Sequence, residues 1–138
     1  MQFKISLKTV FTLVFALGLS YSTSTLGVEL NSVGAAEIEQ LLARLGASGC
    51  RFQRNGSWYT AQEARAHLEN KYRYLLDKQL IGSAGDFVLL GATKSSMSGK
   101  PYLVQCSGQE SIPSATWMAA QRLEMYESVK YRGQPKVR

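Results

Sequence analysis

The sequence is poor in the residues that most often carry chemistry. It holds one histidine, His67, and two cysteines, Cys50 and Cys106. So few ligands exclude a Cys/His zinc site. The cysteines form no C-x-x-C, so a thioredoxin-like redox centre is not indicated. No run of five or six like charges appears, although the formal net charge is +6. The basic residues are scattered: Arg51 and Arg54, then Arg65, Lys71, Arg73 and Lys78, then Lys130, Arg132, Lys136 and Arg138. That scatter is not the basic stripe of a nucleic-acid binder. There is no internal repeat, and no motif calls for a cofactor or a metal. Past the N-terminal region there is no long apolar run, so no membrane span is expected there.

What the N-terminal region does have is an export signal. Lys4 and Lys8 precede Thr9 to Leu19 (TVFTLVFALGL), an uncharged apolar run, and small or polar residues follow. A spanning helix needs roughly 20 apolar residues, so this run suits the core of a cleaved signal better than an anchor. We expect a signal peptide over 1–27 and one small domain over 28–138, ending in a frayed tail. Lys4 and Lys8 account for two of the +6 charges, leaving +4 from Val28 onward. Export implies the periplasm, where Cys50 and Cys106 are expected to pair. The bridge would close a loop of more than fifty residues, adding roughly 4 kcal/mol in the chain-entropy account.

The rest reads as α+β: about four helices packed on a two-stranded antiparallel sheet. Ala36 to Leu45 carries apolar residues at helical spacing. Cys50 to Arg54 alternates as a half-buried strand, and Asn55-Gly56 makes a turn. Thr60 and Glu63 form a capping box for a long helix reaching about Gln79, with Ala64, Leu68, Tyr72 and Leu75 as its stripe. Ser83 caps a short helix from Ala84 to about Ala92, burying Phe87 and Leu90. Pro101 to Cys106 is the second strand, directing Tyr102, Val104 and Cys106 to one face. Ser114 caps a last helix from Ala115 to about Lys130, with Trp117, Met118, Leu123, Met125 and Tyr126 as its apolar residues.

An ordered set of short motifs is distinctive. Cys50 to Tyr59 (CRFQRNGSWY) is followed by Glu63-Ala64, His67-Leu68 and Lys71-Tyr72, and then by Ser95 to Tyr102 (SSMSGKPY). Together they resemble the YfeK-like family of small exported bacterial proteins, a domain of unknown function. The resemblance runs from about Ile38 to Tyr126. It implies an exported, periplasmic protein and brings no activity with it. Where that family often has Thr-Ala-Glu before a Phe, this chain reads Gly82-Ser83-Ala84-Gly85-Asp86-Phe87.

Two groups of residues are candidates for a site. The first is the loop Ser95-Ser96-Met97-Ser98-Gly99-Lys100. Gly91 and Gly99 are too far apart for a phosphate-binding Walker loop. Met97, not a serine, stands three before Lys100, so the Ser-x-x-Lys spacing fails. Ser95, Ser96, Ser98 and Lys100 can still hold an anion, or the segment is a turn that launches a strand. The second group is Glu63, His67 and Lys71, four residues apart on one helix edge. It is either an ordinary side-chain ladder or a binding edge. The tyrosines and tryptophans offer stacking faces for sugars or are core.

Three readings follow. The leading one is a non-enzymatic envelope module binding a protein, or an anionic or glycan ligand. The alternative is a small hydrolase using the Ser95–Lys100 loop with His67. The third is an inhibitor-like accessory protein presenting that loop.

Overall fold

Asn31 starts the first helix by accepting from the Gly34 N–H at 2.8 Å, which satisfies one of the free donors of the first turn. Helix α1 (Ser32–Ala47) therefore begins ahead of its apolar stripe of Ile38, Leu41, Leu42 and Leu45, all buried. The computed structural model describes residues 28–132. The signal peptide expected over 1–27 and the tail from 133 lie outside the described residues.

Strand β1 (Arg51–Arg54) turns through Asn55 and Gly56, both left-handed (φ 52° and 87°), into β2 (Ser57–Tyr59). Such two-residue turns match the twist of a tight hairpin. Helix α2 (Ala61–Asp77) opens with the Thr60/Glu63 capping box and packs along α1. Helix α3 (Ala84–Phe87), capped by Ser83, passes into a π-helical turn over Val88–Ala92. Strand β3 (Leu103–Gln105) and the very short β4 (Ile112–Pro113) precede α4 (Ser114–Arg132).

The expected antiparallel pair is the centre of a four-stranded antiparallel sheet, in the order β2-β1-β3-β4. The two outer strands are three and two residues long, too short to display an alternating pattern. Phe52 lies opposite both Tyr59 and Val104. It meets Trp117 of α4 edge-on, with ring centroids 5.7 Å apart. The disulfide Cys50–Cys106 ties the start of β1 to the end of β3, with Cα atoms 4.2 Å apart. Ion pairs Arg122–Glu37 (2.6 Å) and Arg44–Glu124 (3.1 Å) join α4 to α1. Among the described residues no helix is long and apolar enough to cross a membrane.

Three side chains expected inside are outside. Leu90, Leu123 and Tyr126 are exposed, while Gly91 and Ala92 are buried. The π turn is wider than an α turn, so residues after Phe87 rotate away from the face that a 3.6-residue period assigns them. On α4 the packed face carries polar partners instead: Gln121 bonds Arg44, and Arg122 bonds Glu37.

Candidate functional site

Strand alternation puts Arg54 on the same face as Phe52, directed at α2. His67 and Lys71 stand one turn apart on α2, facing it. Tyr102, only 6% exposed, closes the group from the segment ahead of β3. An Arg54 terminal N–H donates to His67 Nδ1 at 2.6 Å. Arginine has donors only, so Nδ1 must carry the lone pair. The ring is then neutral with its proton on Nε2, which donates to the Tyr102 hydroxyl at 3.2 Å.

The surroundings enforce that state. Burial, then the nearby charges of Arg54 and Lys71, lower the His67 pKa to about 4. Burial and the Arg54 charge also pull Lys71 below the usual lysine range. Burial pushes the Tyr102 phenol up, against the pull of Arg54. Each cation rests on an aromatic face: Arg54 at 4.9 Å from the Tyr59 centroid, Lys71 at 5.2 Å from the Tyr102 centroid. Lys71 also donates to the Lys94 carbonyl at 3.1 Å. Among the described residues neither Arg54 nor Lys71 belongs to a salt bridge.

The serine loop reaches the same place. Gly99 N–H donates to the Ser95 carbonyl, and Ser95 N–H to the Lys100 carbonyl, both at 2.9 Å. The turn needs Gly99, whose φ is 69°. Ser98 fastens the loop to the β1–β2 turn by donating from Oγ to Asn55 Oδ1 at 2.5 Å. A cavity of about 330 Å³ results, with Arg54, His67, Lys71 and Tyr102 on one side and Ser95, Ser96 and Met97 on the other. A smaller, narrow recess of about 40 Å³ adjoins it behind His67, among Phe52, Ala64 and Leu68.

Of the seven residues read from the sequence, four line the larger cavity: His67, Lys71, Ser95 and Ser96. The other three do not. Glu63 accepts from the Thr60 N–H (2.8 Å) and hydroxyl (2.9 Å), and those bonds hold its carboxyl below the ordinary range. It edges only the recess. Ser98 braces the loop, and Lys100 is exposed away from the cavity. Arg54 and Tyr102 are the residues that sequence reasoning missed, Tyr102 because the pattern marks it only as an inward strand residue. Arg54 is the one that carries charge. Its signal was available: a period of two from Phe52 carries Arg54 to the inward face.

The fold and this cavity define a small disulfide-linked α+β domain with two cations gathered beside a neutral imidazole. The chain belongs to a family of unknown function, DUF5329, matched over residues 33–127. That span includes both cysteines and every residue lining the cavity. No curated protein and no solved structure matches it.

Proposed function

We propose that this is an exported, periplasmic protein that binds a small anion without transforming it, as a binding or accessory module of the envelope. One observation carries the reading. Arg54 and Lys71 stand together at the wall of an open cavity, where burial and then the Arg54 charge lower Lys71's basicity, and among the described residues neither belongs to a salt bridge. An anion placed there relieves the like-charge repulsion between the two cations. The glycan form of the ligand has less support, because the Tyr59 and Tyr102 faces already carry Arg54 and Lys71. The apolar segment at 9–19 and the Cys50–Cys106 disulfide support export.

The test is calorimetric titration at pH 7 with acetate, glucuronate, sulfate and neutral glucose. Anions should bind, glucose should not, and Arg54→Ala and Lys71→Ala should each weaken binding roughly tenfold, as loss of a charge-assisted contact does. Equal binding of glucose, or anion binding indifferent to both changes, would overturn the reading. Intact-mass analysis of exported protein should give a chain starting near Val28.

The hydrolase reading has one observation on its side: Ser96 and His67 share the cavity. Against it, both imidazole nitrogens are engaged, and among the described residues no hydrogen bond joins Ser96 to His67. A nucleophile needs a base within reach. Ester turnover abolished by Ser96→Ala or Lys100→Ala in a folded protein would replace the binding reading.

A further inference from the structure

We propose that the ligand group is a tetrahedral oxyanion of the sulfate or phosphate type, and that it binds together with one proton taken up by His67. The inference rests on the anion-binding reading and deepens it.

The chemistry of Arg54 separates the ligand classes. A planar carboxylate is best gripped by two parallel N–H groups of one guanidinium. Here one terminal nitrogen is committed to His67 and the other reaches the Tyr59 hydroxyl at 3.5 Å, so each offers a ligand only its second N–H and the end-on pair is encumbered. The remaining donors come from separate elements: Arg54 from β1, Lys71 from α2, and Ser96 from the loop. Single contacts from several directions suit a tetrahedral group.

The proton follows from the Arg54–His67 bond. A protonated imidazole has no lone pair at Nδ1, so protonation breaks that bond and turns His67 from acceptor to donor. Arg54 is freed and a third cation is created beside Lys71. Around His67 stand Arg54 from β1, Tyr59 from β2, Tyr102 ahead of β3, and Lys71 and Glu63 on its own helix. Glu63 is committed to Thr60, so among the described residues around His67 no remaining carboxylate offsets the added charge. A doubly charged oxyanion does. Without one, burial and the two cations keep His67 neutral down to about pH 4. Linkage is reciprocal: if the anion favours the proton, acid favours the anion, by up to about tenfold per pH unit for one proton.

His67 is the chain's one histidine, so its ring proton resonance reports without ambiguity. The experiment follows that resonance from pH 7.5 to 4 in sodium sulfate and in sodium chloride of equal ionic strength. Sulfate keeps its charge throughout. The midpoint should rise by about two units or more in sulfate, the shift that a tenfold effect at pH 5 requires. Sulfate should bind about tenfold or more tightly at pH 5 than at pH 7.5, and His67→Gln should flatten that dependence. Vesicles of phosphatidylglycerol, with phosphatidylcholine as control, distinguish a lipid headgroup from a free solute. Acid-dependent sedimentation with the former, or sulfate binding with no sedimentation, each supports the oxyanion and assigns its source. Sulfate binding that leaves the His67 midpoint unmoved would overturn this inference and leave the anion-binding reading standing. So would binding of acetate or glucuronate with none of sulfate or phosphate. Binding of no anion at any pH would overturn both.

Discussion

At the scale of single residues, His67 makes stability depend on pH in one direction. Its pKa falls from 6.5 to about 4 on folding. Below pH 6.5 the unfolded chain takes up the proton first, so its contribution is complete above that value and is lost as pH falls toward 4. Denaturant midpoints should therefore fall more between pH 7 and pH 4.5 in wild type than in His67→Gln, whose amide oxygen can still accept from Arg54. A parallel fall in both proteins would show that His67 is not the cause. Gly99 gives the second prediction. A side chain there meets no neighbour within 4 Å, so Gly99→Val tests the backbone alone. The left-handed φ should cost about 1–2 kcal/mol, read as a lower midpoint with the same denaturant slope.

At the scale of elements, legibility follows the length of the repeating pattern. The Thr60/Glu63 box, the turn at Asn55-Gly56 and the stripe of α2 were readable, because each rests on neighbours three or four apart. Strands β2 and β4 were not, because they are too short to repeat. The π turn was not, because its register departs from the period used to read it. The candidate site was half legible for a related reason. His67, Lys71 and the serines stand out by type, whereas Arg54 acquires its meaning only when β1 is laid against α2. The π turn also yields a test. A Cβ at Gly91 would lie 2.9 Å from the ring of Phe87, which is fully buried and cannot retreat. Gly91→Ala gains about 1 kcal/mol of helix propensity against roughly 1–3 kcal/mol of overpacking. We expect net destabilisation in a melting experiment; a gain in Tm would mean that the ring has room to move.

At the scale of the whole molecule, the disulfide is the largest single contribution that can be assigned. It spans 56 positions, and in the chain-entropy account a loop of that size contributes about 4 kcal/mol. A small domain has about 5–15 kcal/mol in total. Reduced protein should therefore melt well below the oxidised form, and thiol labelling without reductant should find neither cysteine. An unchanged Tm on reduction would place the stability in the helices alone. The sequence signalled this bridge through compartment and cysteine count. It did not signal that the bridge would bracket the cavity.

That bracketing has a consequence for survival among proteases. Every residue lining the larger cavity, from Arg54 to Tyr102, lies between Cys50 and Cys106. The cavity is thus built on a covalent ring, with α1 and α4 as arms outside it. The most inviting place to cut that ring is the loop tip, where Met97 is 97% exposed. A single nick there opens the ring into a line but releases no fragment. Arg54, His67 and Lys71 stay joined to Tyr102 through the two sulfurs, and the clipped protein runs as one band until a reductant parts it.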